Sequence, residues 1–317
     1  MFRYSRQHFL PIVIVALLCL PHLGFAATRS GSGRFFLMGS GKLSLYNLRN
    51  NQQAQVSLLN ADNTFNEAAF TEVDRVFGFP TQEKSEHIAP RMLFMLSYFA
   101  DQVAPGKRIW IESGYRSLEY NSTIRAQGAN AAQTSTHIDG QALDFWIEGV
   151  DGKQLWETIR AKNCCGVGHY GGKTIHLDAG RPRFWQAATS GTRTKEPDNN
   201  RHVYLKTDFD RYLPQERIRL ILAGVSTYGF GVKSTAGLVR QDQPGAPIAT
   251  LTVNNAVKEQ CHILKDQQSA HSLHVNLPPN LPAGRYVARL ALCQRPFPEM
   301  PATIDSNVIE LVRDLGR

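Results

Sequence analysis

Apolar side chains recur at Ile88, Met92, Leu93, Met95, Leu96 and Phe99, a spacing that keeps one side of a helix apolar. The spacing predicts a helix over residues 85–102, with Ser85 able to cap its start and Pro90 leaving the onset open. Residues 108–113 then alternate as a strand, a second helix follows Ser117 and carries residues 121–126, and residues 154–162 read as a third. Strand-like runs at 141–147 and 174–178 complete an α+β unit. Residues 189–200 are polar, with Gly191, Pro197, Asn199 and Asn200, and read as a connection. Beyond it lie short apolar runs at 203–205, 218–222, 248–253, 271–277 and 286–292, separated by Pro, Gly and Asn clusters. Regularly spaced short strands predict a β-sandwich, of which an immunoglobulin-like arrangement is one form. The expected division is a leader at 1–26, a first domain at 40–188, a linker at 189–202 and the sandwich at 203–317.

The start of the chain carries Arg3 and Arg6, then an apolar run over residues 9–20, then Gly24-Phe25-Ala26. This order is that of a cleavable secretory leader. The apolar run falls short of the roughly 20 residues a membrane span requires, although an uncleaved anchor is the alternative. Export predicts a periplasmic or secreted protein with no stable membrane span in its mature form. Loss of the two arginines lowers the formal charge from +8 to +6. A modest positive balance suits an anionic polymer or an ordinary basic protein. Nucleic acid is excluded as a partner by the export signal and by the lack of a basic stripe interleaved with aromatics. Four cysteines follow the leader, Cys164, Cys165, Cys261 and Cys293. Cys261 and Cys293 lie in strand-like runs and are the favoured pair. Cys164 and Cys165 are adjacent, which disfavours a bridge between them, and read as thiols or as neighbours of a metal.

Two segments carry candidate chemistry: Ser135-Thr136-His137-Ile138-Asp139-Gly140-Gln141-Ala142-Leu143-Asp144 and Thr174-Ile175-His176-Leu177-Asp178. They supply two imidazoles and a carboxylate on short segments. That is the ligand count of a catalytic zinc site, where three protein groups leave a fourth position to water. Gly140 permits the sharp turn by which His137 and Asp144 reach one ion. A lone His and Asp seven residues apart often mean nothing, but the second segment and the Ser113-Gly114-Tyr115-Arg116 turn weigh against chance.

The ordered set Ser135, His137, Gly140, Ala142, Asp144 and His176 resembles the pattern of the M15 peptidases, zinc D,D-carboxypeptidases and murein endopeptidases of bacterial cell walls. Leu45-Tyr46-Asn47, Gly166-Val167-Gly168-His169-Tyr170 and His176-Leu177-Asp178-Ala179-Gly180 with Arg183 and Trp185 are similar to the murein endopeptidase K branch. The resemblance spans about residues 40–188 and leaves the rest untouched. It implies a central antiparallel sheet with flanking helices, a zinc ion held by His137, Asp144 and His176, and peptidoglycan peptides as partners.

In such a site zinc polarises the scissile carbonyl and activates water, while Arg116 in its turn can pair with substrate carboxylate or developing oxyanion charge. Ser135 either bonds substrate or orients its own turn. The resemblance places a carboxylate three residues before the distal histidine, and here that position is Lys173. His169, which replaces a tyrosine of the family's turn, and Asp178, on the same side of its strand as His176, are the substitute bases. Asp178 has a second reading as a group orienting a ligand histidine, and Asp139 is an outside candidate. Two functions follow: a zinc murein peptidase, or a catalytically weakened relative that binds wall peptides or scaffolds partners.

Overall fold

A computed structural model describes residues 30–190, 196–255 and 260–315. The leader at 1–26 and residues 191–195 of the expected linker lie outside the described residues.

The N-terminal part begins with β1 (Lys42–Asn47) and β2 (Gln53–Ser57), followed by helix α1 (Glu67–Phe77), the single turn α2 (Thr81–Lys84) and α3 (Pro90–Val103). Then come β3 (Ile109–Ser113), α4 (Leu118–Ala126), β4 (Ala142–Ile147), α5 (Gly152–Lys162), β5 (Gly166–His169), β6 (Ile175–Asp178) and β7 (Arg183–Gln186). Pro90 occupies the first turn of α3, where its missing N–H costs nothing, and this moves the helix start past Ser85. Ser117 and Asp151 cap α4 and α5 by accepting the Tyr120 and Gln154 N–H groups.

The seven strands form one sheet in the order β2-β1-β3-β4-β6-β5-β7. The sheet is mixed rather than antiparallel. β1 pairs with β3 in parallel because α1 to α3 carry the chain back over one face, and β5 and β7 are also parallel. Period-two alternation sorts the side chains. Ile109, Ile111, Leu143, Phe145, Val167, Ile175 and Leu177 are buried in the core with Met92, Met95 and Phe99 of α3. Asp144 and His176 stand on the opposite face.

The C-terminal part is built of strands: β8 (Tyr204–Thr207), β9 (Arg211–Tyr212), β10 (Arg217–Ala223), β11 (Phe230–Arg240), β12 (Ala249–Thr252) and β13 (Cys261–Leu264). After the short helix α6 (Gln267–His271) come β14 (Leu273–Asn276), β15 (Gly284–Gln294), β16 (Thr303–Asp305) and β17 (Ile309–Leu311). A three-stranded sheet runs β14-β10-β8, and a seven-stranded sheet runs β12-β11-β15-β17-β9 with β13 and β16 added at its sides. Cys261 and Cys293 are joined, with Cα atoms 5.8 Å apart. Cys164 and Cys165 are also joined to each other, contrary to the reading of separate thiols.

The two parts share one continuous core. Phe65 stacks on Phe209 at 5.8 Å, and Phe35 lies 5.3 Å from Phe94 and 5.8 Å from Phe209. Arg34, 1% exposed, places two nitrogens on the two oxygens of Glu216 at 2.6 and 2.7 Å.

Candidate metal centre

Asp144 of β4 and His176 of β6 are direct partners in the sheet register, so both side chains leave the same face side by side. His137 reaches them from the loop before β4. Its N–H points at Ser135 Oγ (3.4 Å), its carbonyl accepts the Arg116 N–H (3.3 Å), and the Ile138 N–H closes a turn on the Ser135 carbonyl. Gly140 ends the loop at φ +64°, and a Cβ there would stand 2.4 Å from the Phe79 ring. Ser135 takes part in this turn through both its hydroxyl and its carbonyl.

The three side chains are 1%, 6% and 4% exposed for His137, Asp144 and His176, so charge among them must be matched locally. His137 Nε2 is 3.3 Å from His176 Nδ1 and 3.3 Å from Asp144 Oδ1, and His176 Nδ1 is 3.0 Å from the same oxygen. The outer nitrogens are already engaged. His137 Nδ1 donates to the Gly114 carbonyl at 2.7 Å, and His176 Nε2 donates to Asp178 Oδ2 at 2.8 Å. Two imidazole lone pairs and a carboxylate oxygen thus converge, all within 4.8 Å of one another. Three acceptors facing one point fit a cation, and the donor set is one zinc accepts.

Asp178 is fully buried and serves His176. Arg183 grips both of its oxygens at 3.1 and 2.6 Å, and the Gly180 N–H adds a bond at 2.8 Å. Burial opposes its charge, yet Arg183 and His176 hold its carboxyl far below the usual carboxylate range. With every acceptor site occupied, Asp178 orients the imidazole. Burial likewise opposes charge on Asp144, and the two imidazoles keep its carboxyl well below its ordinary value. Burial lowers the His137 pKa, whereas for His176 the bonds to Asp144 and Asp178 overcome burial and raise it.

Arg116 donates from NH2 to Asp144 Oδ2 (2.6 Å) and from Nε to Ser113 Oγ (2.9 Å). Its guanidinium is brought to the cluster as the partner of a ligand carboxylate. Tyr170, to which the sequence reading gave no role, donates its hydroxyl to Asp144 Oδ1 at 3.0 Å. Alternation from Gly168, the register partner of His176, puts Tyr170 on this face, a signal present in the sequence. The Trp185 ring lies 5.0 Å from that of His176, tilted to it, and a Cβ on Gly168 would come within 2.5 Å of its indole.

His169 is not brought to the cluster. It pairs with Ile175 in the register, faces Trp156 of α5, and bonds the Gly172 carbonyl at 3.1 Å. Asp139 points away, accepting the Gly224 N–H (2.9 Å) and Gln267 Nε2 (3.1 Å). Lys173 lays its ammonium 3.5 Å from the Trp146 ring centroid, held there by cation–π attraction. Glu112, at a bulge in β3 opposite β4, accepts the Thr174 hydroxyl at 2.8 Å. That bond spans β4 and sets a carboxylate on the ligand face two residues from His176.

Residues 38–185, whose sheet carries the cluster, match a model of the M15 peptidase family. That stretch matches the family model described as peptidoglycan L,D-endopeptidase MepK. The chain is 32% identical over 103 residues to the peptidoglycan L,D-endopeptidase MepK of Escherichia coli K12, covering 32% of this chain and 57% of that relative. To the probable peptidoglycan L,D-endopeptidase MepK of Haemophilus influenzae it is 38% identical over 74 residues, 23% of this chain and 40% of the relative. The aligned stretches span 57% and 40% of the lengths of these two relatives. Among the described residues no helix is long and apolar enough to cross a membrane.

Proposed function

We propose that the protein is a zinc-dependent murein peptidase that hydrolyses peptide cross-links of peptidoglycan, with His137, Asp144 and His176 as the metal ligands. The observation that carries this reading is the convergence of two imidazole nitrogens and a carboxylate oxygen within 4.8 Å, with the far nitrogen of each imidazole bonded to Gly114 or Asp178. The relatives' activity favours an L,D-type bond over a D,D-carboxypeptidase reaction. The leader and a wall substrate favour a periplasmic or secreted location, and the C-terminal strands are read as a sandwich after a linker at 189–202, packed on the first part through a shared core.

When bound, zinc supplies a Lewis acid for the carbonyl and a water of lowered pKa. The chain's own groups do the rest. Gly114 and Asp178 fix the imidazole tautomers, and Arg183 keeps Asp178 ionised. Arg116 and Tyr170 hold Asp144 from two sides, and the Tyr170 hydroxyl stays protonated because burial and Asp144 raise its pKa. Glu112, bonded to the Thr174 hydroxyl two positions before His176, is the carboxylate assigned here to take up a proton and pass it to the leaving amine, a task Lys173 cannot perform. A 350 Å³ cavity lined by Thr136, Arg181 and Arg183 lies beside the His137 loop and offers cationic groups to an acidic peptide.

The test is chromatography of muropeptides after digestion of isolated peptidoglycan by zinc-loaded protein and by Glu112→Gln. Cleavage by the wild type, reduced about 10²- to 10⁴-fold in the variant at equal zinc content, is expected. No cleavage of D,D- or L,D-linked substrate would favour the second reading, a wall-peptide binding module, for which Lys173 at the usual base position speaks.

A further inference from the structure

Between the two parts of the chain, behind the His137 loop, lies a second cavity of 540 Å³. This is within the size range of small-molecule sites. Lys206 of β8 lines it, and the residue is 6% exposed. Among the described residues its ammonium makes no hydrogen bond or ion pair. Burial, with Arg91 adding to it, pushes the Lys206 pKa down to about 7. Such a group is costly to bury without a partner.

Lys206 is not alone in lacking one. His271, also in the lining, donates Nδ1 to Glu86 at 2.8 Å and has its Nε2 buried without a hydrogen-bond partner, 3.9 Å from Asp139. The Nε of Arg91 is buried and unpartnered as well. The acids of the same wall are engaged elsewhere. Glu86 holds Arg219 and His271, Asp139 accepts Gly224 and Gln267, and Asp208 accepts Tyr212 and the Arg219 N–H. The unsatisfied valences of the cavity therefore belong to its nitrogen groups.

We infer that this cavity is a binding site for a small anion of the carboxylate or phosphate class, held by Lys206 and His271. Asp139 and Gln141 form part of its wall, so the ligand sits directly against the loop that carries His137. The site is distinct from the metal cluster, which stands on the other side of that loop. Its occupancy does not depend on peptidase activity.

The experiment is thermal unfolding of the full mature protein, treated with chelator, in inorganic phosphate, in acetate and in chloride at matched ionic strength. Phosphate or acetate is expected to raise Tm by about 5 °C at a concentration roughly a hundredfold above Kd, chloride much less. The anion that acts assigns the class. Lys206→Met should lose this rise, and Lys233→Met, an exposed lysine of β11, should keep it. If Lys206→Met fails to fold, His271→Gln takes its place and should lose most of the rise. An equal rise in chloride means an adventitious ion only and overturns the inference. So does a rise kept in both Lys206→Met and His271→Gln, or no rise with either anion. Failure of the murein digest would leave every one of these readings unchanged.

Discussion

Asp178 Oδ2 accepts the Nε2–H of His176 at 2.8 Å, which turns Nδ1 toward Asp144. On the proposed reading this relationship selects the nitrogen offered to a metal, so Asp178 would influence affinity without being a ligand.

Asp178→Asn should therefore weaken zinc binding about 10- to 100-fold without abolishing it. The amide can present its NH2 to Nε2 and favour the wrong tautomer. Competition against a fluorescent chelator measures the change. Unaltered affinity would mean that Asp178 does not set the tautomer.

Removal of a ligand acts more severely. His176→Ala and Asp144→Asn should each abolish stoichiometric zinc in protein purified without chelator, while the wild type holds about one equivalent. Elemental analysis reads this directly, and equal zinc in His176→Ala and wild type would sink the ligand assignment.

Arg116→Ala leaves Asp144 buried without its cation, at a cost of about 3 to 5 kcal/mol for breaking a buried pair. Zinc supplies the missing positive charge. The loss of stability should thus be large in chelator and much smaller with zinc, as read by denaturant unfolding in both conditions. An equal loss in the two conditions would separate Arg116 from the metal.

The Cys261–Cys293 bridge closes a loop across 32 positions of sequence. Replacing both residues by alanine should cost about 3 to 4 kcal/mol in the chain-entropy model. Denaturant unfolding of the double variant measures the loss.

Glu86 contributes to acid sensitivity. Burial opposes its charge, but His271 and Arg219 hold its pKa down to about 2, below the ordinary value of 4.5. A depressed carboxyl stabilises the fold above its unfolded pKa, and that stability is lost as pH falls from about 4.5 through 2. On the order of 3 kcal/mol is involved. Glu86→Gln should flatten the stability profile over this window, and an unchanged profile would refute the assignment.

The meeting of His137, Asp144 and His176 was legible because the residues are fixed in order by motif and because alternation along β4 and β6 is strict. The helix at 90–103 and the strands at 109–113 and 142–147 showed their periodicity plainly. The helix Glu67–Phe77 and the long strand Phe230–Arg240 went unread. The strand carries Gly231 and Gly237 and mixes polar with apolar residues, and pairing with β12, β13 and β15 overrides its weak local preference. Glu112 was equally hidden. Its place depends on a bulge and on a threonine two strands away, neither of which spacing reveals. Arg183 reaches Asp178 only because β7 runs parallel to β5, a long-range pairing with no local signature.

Arg34 meets Glu216 across 182 positions of sequence, with both residues buried. A ribosome makes Arg34 first and Glu216 much later. Until then the guanidinium lacks its carboxylate and Phe35 has Phe94 but not Phe209 beside it, so the first sheet must persist with one flank open. Synthesis of the final third of the chain closes that flank, so a nascent chain cut short there would be left as a target for proteolysis.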